Sequence, residues 1–218
     1  MVFSDKQTGQ LNERTRQFEE NTGAQIVVTV VDKSDTYPEI PWKAFAMGAS
    51  AATLILLAYV AAGADGWQPL PLWICLTLPL LAGAFSAVLS IFSPAVARCF
   101  LDSTRAEGET EQYAKAFFLD RELFDTPERS GVLVLISRFE HRVVILPDSG
   151  IAERLTGRAF DPVVDAMTSQ LHRSNAFEAL VEGIRVLEKT LLEAGFQGAP
   201  GAPDAIPDEL VKPEGDNR

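Results

Sequence analysis

Cysteine and histidine are nearly missing from this chain, and several kinds of chemistry go with them. There are two cysteines; Cys75 lies inside an apolar run and Cys99 at its edge, so they form no disulfide framework, which fits a reducing compartment. The two histidines, His141 and His172, stand far apart with no Cys or carboxylate pattern between them that suits zinc. His141 reads as a turn residue. There is no Walker loop, dinucleotide glycine fingerprint, HExxH or CxxC. Cys99 to Arg105 has the Cys-x5-Arg spacing of a tyrosine-phosphatase loop, but that loop needs a preceding strand and glycines to aim its amides, and here Phe100 and Leu101 follow the cysteine. Basic residues are also in deficit, 19 Lys and Arg against 30 Asp and Glu, a net charge of -11. That balance repels phosphate backbones and argues against nucleic acid as a partner. The opening residues MVFSDKQTGQ contain no apolar stretch, so no cleavable secretory signal is expected.

The other absence is of charge itself. Residues 44 to 64 and 66 to 97 hold no Asp, Glu, Lys or Arg. Ala44 to Ala64 is 21 residues long, against the roughly 20 that cross a bilayer as a helix. In the second run Trp67, Pro69, Pro71 and Trp73 cluster at the start, where aromatic rings anchor at headgroups and prolines open a helix, so the natural span is Leu72 to Phe92. The short loop from Asp65 to Leu70 makes the pair a transmembrane hairpin. Gly48 with Ala52, and Gly83 with Ala87, are small residues that allow close helix approach, and Pro79 can kink the second helix. Lys43, Arg98 and Arg105 flank one side of the pair while the loop has no basic residue, so both termini are expected to be cytoplasmic in a cell membrane. The bilayer is the first partner implied.

Outside the hairpin the organising stretch is Ser130 to Asp148. Val132 to Ile136 and Val143 to Leu146 are apolar runs rich in β-branched residues, separated by Arg138-Phe139-Glu140-His141. That gap suits a tight antiparallel hairpin, which returns Asp148 beside Arg129. Neither strand alternates polar and apolar residues, so the sheet must be covered on both faces. Upstream, Ser4 to Asn21 reads as a helix with Leu11, Thr15 and Phe18 on one face and Gly23 at its end, followed by a strand from Gln25 to Val31. Downstream of the membrane pair, Thr104 and Glu107 offer a capping box for a helix with the stripe Tyr113, Ala116, Phe117 and Leu123. Further helices are expected near Ile151, over Phe160 to Leu171, and over Ala176 to Ala194, where Asn175 can cap the start and Gly195 the end. From Gln197 to Arg218 the chain is Gly, Pro and acidic residues, too polar to order itself. The organisation is thus one α/β domain split into 1–43 and 98–195 by a membrane hairpin at 44–97, with an acidic tail at 196–218.

Acidic residues are the candidates for chemistry: Asp32 and Asp35 after the first strand, and Asp120, Asp125, Glu128 and Asp148 at the other end of the sheet. Carboxylates of this kind could hold a hard cation such as Ca2+ or Mg2+. The run from Ala114 to Ile151, above all Thr126-Pro127-Glu128-Arg129 leading into Gly131-Val-Leu with Glu140 and Asp148 beyond, resembles the TPM-domain family, named from thylakoid and worm proteins and rich in bacterial membrane proteins. The resemblance implies a three-layer α/β/α sandwich, divalent-metal binding and, for the thylakoid branch, acid phosphatase activity.

Hairpin geometry by itself selects Asp125, Glu128, Arg129 and Asp148 as the first ligand site: the carboxylates for a metal, Arg129 and Asp148 for a phosphate at the start of the helix after Asp148. The rule that ligands sit at the carboxyl ends of parallel strands selects instead Asp32, Asp35 and the Glu140-His141 turn. An Arg129 to Asp148 ion pair with Asp148 as a helix cap is the purely structural alternative. Two functions follow: a membrane-anchored, metal-assisted phosphatase on a phosphate ester, or a non-catalytic module that assembles or maintains complexes with other membrane proteins. No nucleophile with an activating base is evident in the sequence.

Overall fold

The structure is a computed structural model that describes residues 3–62, 70–126, 128–155, 157–171 and 175–198. In chain order the elements are α1 (Asp5–Thr22), β1 (Gln25–Val31), α2 (Glu39–Ala62), α3 (Leu72–Phe92), α4 (Pro94–Arg98), α5 (Ser103–Asp120), β2 (Gly131–Ser137), β3 (Arg142–Pro147), α6 (Ser149–Ala152), a 3-10 turn (Gly157–Phe160), α7 (Asp161–Leu171) and α8 (Ala176–Glu193). They divide into two compact units, one made of Met1–Ser34 with Glu107–Arg218, the other of Asp35–Ala106.

The first unit is built on a sheet of order β1-β2-β3. β1 runs parallel to β2, with Val28 opposite Val134, and β2 runs antiparallel to β3, with Val134 opposite Ile145. Every residue of β1 and β2 is buried, as expected of strands that do not alternate. One face carries Ile26, Val28, Val30, Val132, Val134 and Ile136 against Leu11 and Phe18 of α1, Val163 and Met167 of α7, and Ile184 and Leu187 of α8. The other carries Val27, Val31, Leu133 and Leu135 against Ala114, Phe117 and Phe118 of α5 and Leu123 beyond it. These are the three layers of an α/β/α sandwich. Each fully buried Leu, Ile, Val or Phe contributes about 1.5–3 kcal/mol relative to exposure, which makes this double core the chief source of stability.

Local chemistry sets the element ends. Ser4 and Gln7 form a reciprocal capping box at α1, and Gly23 closes it at φ 71, a left-handed conformation that glycine adopts without a Cβ clash. Asn175 caps α8, accepting from the Glu178 N–H at 3.2 Å. The cap of α5 is not the Thr104–Glu107 box. Asp102 holds that place, its carboxylate accepting from the Arg105 N–H at 2.9 Å, because a carboxylate just ahead of the first turn reaches the free amides directly. The buried face of α5 is also rotated from the expected stripe: Thr110, Ala114, Phe117 and Phe118 are buried, while Ala116 is exposed. Beyond α8 the chain stays ordered slightly further than composition suggests. Phe196 is buried beneath Arg154, 4.8 Å from its ring centroid, and the Gly198 N–H donates to the Asn21 carbonyl at 3.0 Å. The acidic tail from residue 199, with Pro127 and His172, lies outside the described residues.

The second unit is the α2–α3 pair with its flanks. It extends from Asp35 to Ala106, wider than the charge-free stretch 44–97, because α2 begins at Glu39 and the flanking charges pair with each other. Arg105 reaches Asp35 and Glu39, each at 3.0 Å. Along α2 and α3 the apolar side chains point outward; Leu54, Ile55, Leu57, Leu80, Leu81 and Phe85 are all exposed. The two helices meet at their glycines: a Cβ on Gly48 would lie 2.8 Å from the Ala82 carbonyl oxygen, and one on Gly83 2.8 Å from the Phe45 ring. Both helices are long and apolar enough to cross a membrane. The expected interfacial residues Asp65, Trp67 and Pro69 lie outside the described residues.

Candidate functional site

At the amino end of β2 the hairpin does bring Arg129 to Asp148. The Asp148 N–H donates to the Gly131 carbonyl at 2.8 Å, and the Gly150 N–H to the Arg129 carbonyl at 3.0 Å. This ladder sets the Arg129 Nε 3.5 Å from the Asp148 Oδ2. Arg129 itself is left-handed, φ 52, and its guanidinium lies over the Phe124 ring, 5.7 Å from the centroid, donating to the Phe124 carbonyl at 3.3 Å. Asp148 is buried and caps the single turn of α6, its Oδ1 accepting from the Ser149 N–H at 2.7 Å. Among the described residues its Oδ2 accepts no hydrogen bond, and the nearest ion-pair partner is the Arg129 guanidinium. Asp125 and Glu128 are exposed, and Asp125 takes part in the turn through its N–H to the Glu122 carbonyl at 2.8 Å.

This donor set does not fit a divalent cation as it stands. Among the described residues no three His, Cys, Asp or Glu side chains form a group that could hold a metal ion. Asp148, the one buried carboxylate among Asp125, Glu128 and Asp148, already faces a guanidinium cation, which would repel a second positive charge.

The carboxyl ends of the parallel pair are arranged differently. Glu140, in the turn between β2 and β3, is buried, and its carboxylate folds back under the turn. Oε1 accepts from the Ser34 N–H at 2.9 Å, just past β1. Oε2 accepts a hydrogen bond from the hydroxyl of Ser137, the last residue of β2. The Ser34 hydroxyl lies 3.0 Å from the Ser137 hydroxyl. A chain of two hydroxyls thus ends on a buried carboxylate, and its outer member, Ser34, is half-exposed. Around it Asp32 pairs with Arg138 at 2.7 Å, Lys33 lies 5.0 Å above the Phe139 ring, and Arg142 pairs with Glu107 at 3.3 Å. His141 is the turn residue expected, at φ 52. Asp35 falls in the other unit, where Arg105 pairs with it.

Ser34 and Ser137 escaped sequence reasoning because serine at a strand end reads as punctuation. A signal was nevertheless available: parallel register puts Ser137 opposite Val31, so both hydroxyls had to emerge where open parallel sheets gather their polar groups.

The family model described as TPM domain matches residues 94–190. Residues 94–190 are a TPM domain. The match begins after α3 and takes in β2, β3 and most of α8, while α1 and β1 join the same sandwich from the far side of the inserted pair. Among solved structures, the NMR structure of the BA42 protein from the psychrophilic bacterium Bizionia argentinensis is similar at a TM-score of 0.56, with 15% identity over 97% of this chain and 95% of that one. That likeness supports the fold. No curated protein matches the chain.

Proposed function

We propose that the chain is a TPM domain anchored in a bacterial inner membrane by the α2–α3 hairpin, and that it hydrolyses a phosphate monoester at the carboxyl ends of β1 and β2. The observation that carries the hydrolytic reading is the hydrogen-bonded series Ser34, Ser137, Glu140. It supplies a hydroxyl next to a carboxylate base, the pairing that esterase chemistry uses and the linear sequence concealed. Lys33 and Arg138, adjacent in sequence to the two serines and exposed, suit an anionic substrate. The phosphatase activity implied by the family resemblance agrees with this chemistry. The anchor rests on the outward apolar faces of α2 and α3, and the basic flanks Lys43, Arg98 and Arg105 support a cytoplasmic side for both termini and the TPM domain.

A second reading, a non-catalytic module that maintains membrane complexes, is favoured by one observation: Asp148 and Glu140 are both engaged inside the fold. Purified chain in detergent, assayed with p-nitrophenyl phosphate in Mg2+, in Ca2+ and with chelator, separates the two. Turnover in any arm supports the hydrolase, and silence in all three leaves the assembly module. For the anchor, alkaline phosphatase fused after Arg218 should be inactive, and activity there would reverse the orientation.

A further inference from the structure

We propose that Ser34 is a covalent nucleophile on phosphorus, with Ser137 relaying its proton to Glu140; this deepens the phosphatase reading and rests on it. Three features of the cluster point the same way. Its inner members are sequestered, Ser137 at 0% and Glu140 at 8% exposure, whereas Ser34 is half-exposed and can meet a substrate. The hydrogen bonds run in one direction: the Ser34 hydroxyl donates to Ser137 at 3.0 Å, and the Ser137 hydroxyl donates to Glu140 Oε2. The Ser34 N–H holds Glu140 Oε1 at 2.9 Å, so the base is oriented by the backbone of the nucleophile itself. A structural staple would need only the bond from the Ser34 amide to Glu140. The second hydroxyl, buried between the base and the first, is what a proton path requires.

In the first half-reaction the Ser34 oxygen bonds to phosphorus and the bond from phosphorus to the substrate alcohol oxygen breaks. The Ser34 proton moves to Ser137 as the Ser137 proton moves to Glu140, leaving Glu140 neutral, and the departing alkoxide takes a proton from water. In the second half-reaction water attacks phosphorus and the bond to Ser34 breaks. Ser34 regains its proton along the same path from Glu140, the attacking water loses one proton to solvent, and inorganic phosphate leaves. Lys33 and Arg138 are the cations that hold the phosphoryl oxygens, Arg138 exchanging Asp32 for the substrate.

The test uses the full chain in detergent with p-nitrophenyl phosphate. Wild type should show a burst of nitrophenol close to one per chain, and quenched protein should gain one phosphoryl group, mapped to Ser34. Ser34→Ala should abolish burst and adduct and lower kcat by about 100-fold or more, whereas Ser34→Thr, which keeps a hydroxyl, should retain both. Glu140→Gln keeps the shape but cannot accept the proton, so kcat should fall with KM unchanged. Circular dichroism melts of each variant separate folding loss from lost chemistry. An active wild type with an equally active Ser34→Ala overturns the nucleophile and leaves the phosphatase reading standing. A wild type inactive in every cation condition overturns both.

Discussion

The α2–α3 hairpin and the TPM sheet are made of the same residue types and treat them in opposite ways. In β1 and β2 every Val, Ile and Leu is buried between helical layers. In α2 and α3 the leucines and phenylalanines face outward along most of their length. Exposed to water, each such side chain would forgo about 1.5–3 kcal/mol, so an outward apolar surface of this length is stable only where the surroundings are themselves apolar. The two regions thus differ in what they present outward, the hairpin apolar and the sandwich largely polar. Their contact surfaces differ accordingly: the sheet is held by bulky interdigitated side chains, the hairpin by glycines that let backbones close in.

Removing one region from the other should break this contrast most visibly. Replacing residues 44–97 with a flexible linker should move the chain from the membrane to the soluble fraction outright and leave a cooperative thermal transition by far-UV circular dichroism. A product without such a transition would mean that the sheet depends on the hairpin for its core. Next in size, Leu133→Ala should destabilise the sandwich by about 3 kcal/mol in denaturant unfolding, because Leu133 is fully buried. Leu57→Ala, exposed on α2, should change that transition by less than about 0.5 kcal/mol. Equal effects would erase the distinction between the two surfaces. Gly48→Leu should loosen the helix pair by about 1–3 kcal/mol without altering the sandwich melt, which detergent-resistant helicity on heating can follow. A small effect is also expected of Arg129→Ala. Its guanidinium is 55% exposed, so loss of the Asp148 pair should cost under about 1 kcal/mol. A loss several times larger would show that Asp148 depends on that pairing for its burial.

Much of this contrast is legible in the linear chain. The charge-free runs locate both apolar helices, with Leu72 and Phe92 as the observed ends of α3. The non-alternating runs around Val134 and Val144 identify strands covered on both faces, and the intervening tetrapeptide places Asp148 beside Arg129. Gly23 and Asn175 are read correctly as caps because capping is a matter of local hydrogen bonding. Where the reading slips, at the Asp102 cap and the rotated face of α5, several residues of nearly equal local merit compete and the packing of Phe117 and Phe118 decides between them.

The sequence by itself determined the class of each segment, since hydrophobic periodicity, charge and turn chemistry act over a few residues: a split α/β domain, an apolar helical pair, an acidic tail. Only the tertiary structure decided which polar groups meet. Ser34 and Glu140 are more than a hundred positions apart and converge because β1 pairs parallel with β2 across the whole insertion. Asp32 and Asp35, three apart, fall in different units, the first paired with Arg138 and the second with Arg105. Short-range chemistry names the candidates, and strand pairing over a long, chemically separate insertion chooses among them, because hydrogen-bond registry depends on the sheet and not on distance along the chain.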